Sequence, residues 1–325
     1  MTWLVTGGAG YIGAHVVAGM RSAGHDVVVL DDLSTGDASR IATVPLVTGS
    51  VLDGQRVRRV LRDHRVSGIV HVAAKKQVEE SVRRPLFYYR ENVEGLRVVL
   101  EAAVTGGIEF FVYSSSASVY GSPDVDLVTE ALECRPVNPY GRTKLIGEHM
   151  VADVAAATGM RWAGLRYFNV VGAAAPELAD RAATNLVPMV FQQLSEQRPP
   201  HIFGTDYPTP DGTCVRDFVH VVDVASAHLA AARGLEDGRV RAVTANVGSG
   251  QGVSVREMVD LMLRITGTAD EQWAQPVLRA RRPGDAARIV AATDAIRDVL
   301  GWKAQYDVEQ MVASAWEGWT TSARG

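Results

Sequence analysis

The chain has 325 residues, of which 47% are hydrophobic and 22% charged, enough to build a full core and too apolar for a disordered chain. Its 33 basic and 37 acidic residues leave a net charge of −4, and no basic block or basic–aromatic stripe marks a nucleic-acid surface. Two cysteines, Cys134 and Cys214, lack metal-ligand spacing, and neither a signal-peptide pattern nor an apolar run of about 18 residues occurs, so a soluble cytoplasmic protein without a metal or a membrane span is expected.

The first half alternates short apolar runs with helical stretches, the pattern of a parallel sheet covered on both faces. Strands are predicted at Trp3–Thr6, Asp26–Leu30, Pro45–Thr48, Gly68–His71, Phe110–Ser114 and Arg161–Arg166, and helices starting near Gly10, Asp53, Asn92 and Pro139. This predicts an α/β chain with a Rossmann-type, doubly wound parallel sheet over residues 1–170. Beyond residue 170, loops rich in Gly, Pro and Asp interrupt helical periodicity at Leu186–Ser195, Val221–Gly234, Ser254–Thr266 and Val308–Trp319. A smaller mixed α/β lobe over residues 171–325 is expected, with segments free to interleave, closing over the carboxyl ends of the strands.

Gly7, Gly10 and Gly13 follow the first predicted strand and open the first helix with the spacing G-x-x-G-x-x-G, a variant of the dinucleotide fingerprint. The helix start is a site for a pyrophosphate. Asp31 ends the second strand, where a carboxylate bonds ribose hydroxyls and repels a 2′-phosphate, which favours NAD over NADP.

Tyr140 and Lys144 stand one helical turn apart on a shared face. An ammonium beside a phenol favours the phenolate, so the tyrosine pKa is expected to fall towards working pH and give a base for an alcohol proton. With nine tyrosines and four lysines in the chain, about 0.1 such pairs are expected by chance. His71 and His220 sit in apolar stretches and read as packed core residues.

With these residues placed, the chain resembles the extended short-chain dehydrogenase/reductases and, among them, the UDP-glucose 4-epimerases. The likeness covers essentially the whole chain. It is carried by Tyr113–Gly121, Pro139–Lys144, Leu165–Gly172 and, most specifically, Ile202–Asp223. The resemblance implies Tyr140 as catalytic base, Lys144 as the partner that lowers its pKa and holds the nicotinamide ribose, and Ser116 as the hydroxyl that bonds the reacting sugar oxygen. It implies Tyr11, Ile12, Ser50, Val51, Lys76, Asn92, Ser114 and Phe168 as cofactor contacts. On the UDP-sugar side it implies Asn169, Asn185, Leu186, Phe203, Arg216, Arg282 and Asp285. Lys76 reads equally as a solvated charge at a helix start, and Ser114 and Ser115 equally as residues lining a strand end.

Where the family often has Gly-Asp-Ile for the adenine contact, this chain has Gly49-Ser50-Val51, with Asp53 close by. A nucleotide-sugar 4,6-dehydratase would need an Asp-Glu pair where Ala117-Ser118 stands. The resemblance further implies NAD retained through turnover and a homodimer built on helices near Asn92–Thr105 and Tyr140–Ala157. Two alternatives stay open: a 4-epimerase of UDP-N-acetylhexosamines or another UDP-sugar, on which Ile289 bears as the residue beside the sugar C2 position, and a non-catalytic NAD-sensing regulator.

Overall fold

The computed structural model describes residues 1–41, 43–282 and 284–322. In chain order the N-terminal half contains β1 (Thr2–Thr6), α1 (Tyr11–Ser22), β2 (Asp26–Asp31), β3 (Leu46–Thr48), α2 (Gly54–Asp63), β4 (Val66–His71), α3 (Val78–Arg83), α4 (Pro85–Tyr88), α5 (Gly95–Gly106), β5 (Phe110–Ser116), α6 (Pro139–Thr158) and β6 (Arg161–Tyr167). The remainder contains β7 (Asn169–Val171), α7 (Leu186–Ser195), β8 (His201–Phe203), β9 (Val215–His220), α8 (Val221–Glu236), β10 (Ala242–Val247), β11 (Gly252–Ser254), α9 (Val255–Thr266), β12 (Val277–Arg279), β13 (Arg288–Ile289), α10 (Asp294–Leu300) and α11 (Val308–Ser322).

A seven-stranded sheet runs in the order β10-β6-β5-β4-β1-β2-β3, and every pair in it is parallel. Both faces are covered, as a parallel sheet requires. The alternation of side chains along a strand sorts the core into two layers. Trp3, Val5, Val27, Val29, Val70, Phe110 and Val112 pack with residues of α1 and α8. Leu4, Val28, Leu30, Ile69, Phe111 and Tyr113 pack with residues of α2, α5 and α6.

All six predicted strands belong to this sheet, so the fold class is as expected. The seventh, β10, comes from beyond residue 170, and α8 covers the sheet with it. A second sheet joins β11, β9, β13 and β7 around central β9. It shares a third core with α7, α9 and α11, built on residues such as Phe191, Phe218, Met258, Met262 and Val312. A two-stranded ribbon pairs β8 with β12.

Strand order reverses between β1 and β4, which places the ligand crevice above the carboxyl ends of those strands. The helix that carries the Tyr–Lys pair has strong local signals at both ends. Asn138 caps α6 by accepting the Gly141 N–H at 2.8 Å, Pro139 occupies its first turn, and Gly159 ends it in the left-handed conformation.

Candidate active site

The loop after β1 forms the floor of the crevice. Gly7 has φ +70°, and a Cβ there would lie 2.7 Å from the Ala73 nitrogen in the loop after β4. A Cβ on Gly13 would lie 2.1 Å from the Gly7 carbonyl oxygen, so α1 presses directly on the turn that precedes it. Gly10 is the N-cap of α1 and offers no side-chain cap, which leaves the first-turn N–H groups free of a capping side chain. Gly8, which the sequence reading passed over, is equally constrained: a Cβ would meet Val29 at 2.7 Å.

Asp31 ends β2 and is 7% exposed. Each carboxylate oxygen accepts one amide: Ala9 N–H donates to Oδ2 at 3.0 Å and Leu33 N–H to Oδ1 at 2.9 Å. Each retains lone-pair capacity for a further donor. Ser50 follows β3, and its Oγ accepts the Leu52 N–H at 3.1 Å. Val51 packs close to Gly95. Asp53 caps α2 through the Arg56 N–H at 3.0 Å, a local reason for an acid at that position.

The two neighbouring lysines diverge. Lys75 Nζ donates to Ser34 Oγ at 2.8 Å, across the crevice, whereas Lys76 Nζ lies 3.7 Å from Asp180 Oδ2. Asn92 sits in a π-helical turn before α5. It accepts the Lys75 N–H at 2.8 Å and donates to the Lys75 carbonyl and to Thr143 Oγ1, both at 3.0 Å. Asn92 thereby ties the β4 loop to α6.

Ser114, Ser115 and Ser116 end β5 and are all buried. Lys144 Nζ donates to the Ser114 carbonyl at 2.7 Å, and its ammonium lies 5.3 Å from the centre of the Tyr113 ring. The Ser114 hydroxyl pairs with His228 Nε2 at 3.2 Å. α6 comes this near to β5 because its glycines allow it: a Cβ on Gly141 would lie 2.5 Å from Ser118 O, and one on Gly147 2.1 Å from Tyr113 Oη.

Burial raises the Tyr140 phenol above its ordinary pKa, and its hydrogen bond with the Ser116 side chain acts in the opposite direction. The sequence expectation of a phenol lowered by Lys144 is therefore corrected: burial raises it, the Ser116 side chain is what opposes that rise, and the Lys144 ammonium is engaged by the Ser114 carbonyl. Burial also pulls Lys144 down to about 8, against the opposing charge of Glu148.

The second sheet and the β8–β12 ribbon bring another set together. Arg216 on β9 donates through Nη1 to the carbonyls of Val215 and Ala286 at 2.9 and 2.8 Å, and its Nη2 lies 3.5 Å from Asp285 Oδ1. The Arg282 guanidinium lies 4.1 Å from the centre of the Phe203 ring. Arg281 instead pairs with Asp206 at 2.6 Å and stacks on Tyr207, so the adjacent arginines have different surroundings. Ile289 on β13 is the register partner of Arg216 and packs against a cluster containing Ala117, Tyr120 and Phe168. Asn169, on β7, is exposed. Asn185 donates to Asp180 Oδ2 at 3.2 Å, next to Lys76, and Leu186 begins α7. Lys76 and Asn185 thus share Asp180 as a partner, while Arg216 lies by Asp285 and Arg282 by Phe203.

Sequence reasoning also missed Asp217. It is fully buried and accepts Ser249 N–H and Oγ–H, Gly250 N–H and Ala291 N–H at 2.7–3.1 Å. It fastens β9, and Arg216 with it, to the loop after β10 and the segment after β13. Its place inside the Ile202–Asp223 run was the one available signal.

A model of the NAD dependent epimerase/dehydratase family matches residues 3–248. A UDP-glucose 4-epimerase of Azospirillum brasilense is 44% identical over 322 residues, covering 97% of this chain and 91% of that protein. The solved structure of a UDP-glucose 4-epimerase from Stenotrophomonas maltophila, with bound NAD and formylated UDP-arabinopyranose, matches with a TM-score of 0.94 and 38% identity, over 100% of this chain and 99% of that one. A UDP-Glc/GlcNAc 4-epimerase from Campylobacter jejuni matches with a TM-score of 0.86 and 34% identity, over 98% and 99% of the two chains. The protein described here belongs to the NAD dependent epimerase/dehydratase family.

Proposed function

We infer that the chain is an isomerase that interconverts UDP-galactose and UDP-glucose with NAD as its cofactor, by oxidation at the sugar C4, rotation of the 4-keto sugar and re-reduction. The observation that supports this reading is the packing of α6 on the end of β5, with the Lys144 ammonium on the Ser114 carbonyl and the Tyr140 phenol beside Ser116, in a chain whose relatives are UDP-glucose 4-epimerases. A non-catalytic NAD sensor gains no support, because the catalytic tyrosine and lysine are both present.

The crevice suits the dinucleotide. Gly7 and Gly13 leave room where any Cβ would collide, and α1 presents amides without a side-chain cap, as a pyrophosphate requires. We assign Gly7, Gly10, Tyr11, Ile12, Gly13, Asp31, Ser50, Val51, Lys76, Asn92, Ser114, Tyr140, Lys144 and Phe168 to it. Lys75 is added on the strength of its reach to Ser34. NAD held there would supply a reversible hydride acceptor for the sugar C4, which would keep the redox change internal to the cycle. Tyr140 takes the 4-hydroxyl proton and later gives it back. Ser116, hydrogen-bonded to that phenol, orients the same sugar oxygen, and Lys144 holds positive charge beside the tyrosine.

Ser116, Asn169, Asn185, Leu186, Phe203, Arg216, Arg282 and Asp285 are assigned to the UDP-sugar. Arg216 and Arg282 suit the diphosphate because a guanidinium binds it with two prongs, and a firm hold there leaves the sugar free to turn over.

The test is proton NMR of UDP-galactose with purified protein and no added NAD. Conversion to a mixture rich in UDP-glucose is expected. Conversion only after NAD is added keeps the chemistry but shows weak retention, with Ser50 the first suspect. No conversion with NAD present refutes the substrate assignment.

A second reading extends the substrate range. Ile289 is neither small nor a large aromatic, and a UDP-Glc/GlcNAc 4-epimerase is among the structural relatives. The same assay on UDP-N-acetylgalactosamine separates the two. A cytoplasmic location and a homodimer through α5 and α6 complete the proposal; among the described residues no helix is long and apolar enough to cross a membrane. Light scattering on the purified protein tests the dimer.

A further inference from the structure

One turn further along the Tyr140–Lys144 face of α6 lies a buried ion pair. Glu148 follows Lys144 by one turn, and both are 4% exposed. Arg166 on β6 grips the Glu148 carboxylate with two prongs, Nε to Oε1 at 2.8 Å and Nη2 to Oε2 at 2.5 Å. Ser115 Oγ donates to the same Oε1. Arg166 Nη1 donates to Tyr120 Oη at 2.9 Å, the Tyr120 hydroxyl donates to Asn246 Oδ1 at 2.7 Å, and Asn246 Nδ2 donates to the Val128 carbonyl at 2.8 Å. One network thus joins α6, β5, β6 and β10.

A buried ion pair contributes little net stability compared with a well-packed apolar pair, since desolvation offsets most of the attraction. What it does supply is geometry. Ser115 and Arg166 are register partners on adjacent strands, so the carboxylate is held from two fixed points. With its oxygens engaged by Arg166 and Ser115, the Lys144 ammonium is directed to the Ser114 carbonyl. Ser115 is flanked by Ser114, whose carbonyl receives the Lys144 ammonium, and by Ser116, whose side chain lies beside the Tyr140 phenol.

We propose that Glu148, gripped by Arg166 and Ser115, is a positioning residue for catalysis: it sets α6 on the end of β5 so that Tyr140, Lys144 and Ser116 meet, and places a negative charge beside the lysine. The proposal rests on the roles given above to Tyr140 and Lys144. The groups that bear on Lys144 are Glu148 on its own helix, Tyr113 from β5, His71 from β4, and Arg166 from β6 behind Glu148. His71 is held neutral by burial and by Lys144 itself. Among these Glu148 is the carboxylate, and it pushes the lysine up while burial pulls it down to about 8.

The experiment is steady-state kinetics of Glu148→Gln across pH, with Tyr140→Phe alongside. Glu148→Gln is expected to lower kcat by about tenfold to a hundredfold, the cost of a slight misplacement at the chemistry. The KM for UDP-galactose is expected to stay within roughly twofold, because the diphosphate-binding arginines are elsewhere. The alkaline limb of the kcat profile should move to lower pH, since Lys144 loses the charge that keeps it protonated; a purely structural role would leave that limb in place. Should Glu148→Gln not fold, Ser115→Ala reads the same link and should lower kcat by about threefold or more, again without a change in KM. Wild-type kcat in Glu148→Gln, or a lowered kcat with an unmoved alkaline limb, or wild-type kcat in Ser115→Ala where that variant stands in, would overturn the proposal. If Tyr140→Phe retains full activity, the underlying catalytic reading fails instead.

Discussion

At Tyr140 two effects oppose each other. Helical spacing from Lys144 argues for a lowered phenol pKa, yet burial raises it, and what opposes burial there is the Ser116 side chain. Spacing is readable in a sequence, whereas desolvation depends on what the fold places around the ring. The pair itself was legible, as were Gly7, Gly10, Gly13 and Asp31, because each acts through local geometry. Glu148 and Arg166 were not, because charges at sequence positions 148 and 166 meet only across a helix–strand contact. Replacing Tyr140 with Phe should lower kcat by about a hundredfold to ten-thousandfold while NAD stays bound, measured by NMR turnover and by absorbance of the released cofactor. The two arginines make a second contrast at this scale. Arg282→Ala should raise the KM for UDP-galactose by about tenfold, as expected for the loss of one charged contact to a phosphate, while Arg281→Ala, whose partner is Asp206, should leave it within about twofold.

Among the elements, β9 is fastened by one buried side chain. Asp217 receives four hydrogen bonds from the segments flanking it, so Asp217→Ala leaves buried donors unpaired and should cost about 2 kcal/mol or more. The KM for UDP-galactose should rise with it, since Arg216 is the next residue on the strand; thermal melting and kinetics on the same variant check both. The elements themselves were unevenly legible. The five longer strands β1, β2, β4, β5 and β6 and helices α7, α8, α9 and α11 carry strong periodicity and were placed to within a few residues, while the three-residue β3 was legible from the turn residues around it. Strands β7, β8, β11, β12 and β13 span only two or three residues each, too short for a pattern, and exist because a neighbour pairs with them. β10 was missed for another reason: Thr244 and Asn246 interrupt its apolar run, and Asn246 is buried there because Tyr120, Glu130 and Val128 satisfy it.

Across the whole molecule, four buried histidines set the response to acid. Burial disfavours the imidazolium, lowering His15, His220 and His228 to about 4 and His71 to about 3. The unfolded chain takes up these protons near pH 6.5, before the folded one does. Stability from this source is therefore intact above about 6.5 and falls as pH drops towards 4, by up to about 1.4 kcal/mol per unit for each histidine. Melting temperatures at pH 7.5 and 5.5 should differ by several degrees, and a flat profile across that interval would contradict the assignment. The order of the strands also bears on how the chain is made. β6 lies inside the sheet, yet its outer neighbour β10 is synthesised about eighty residues later. On the ribosome β6 is therefore a bare sheet edge until residue 247 emerges, an interval in which a hydrophobic edge invites pairing with other chains. A fragment ending at residue 170 should accordingly aggregate during translation, and co-translational chaperones should engage the nascent chain most strongly between residues 170 and 250.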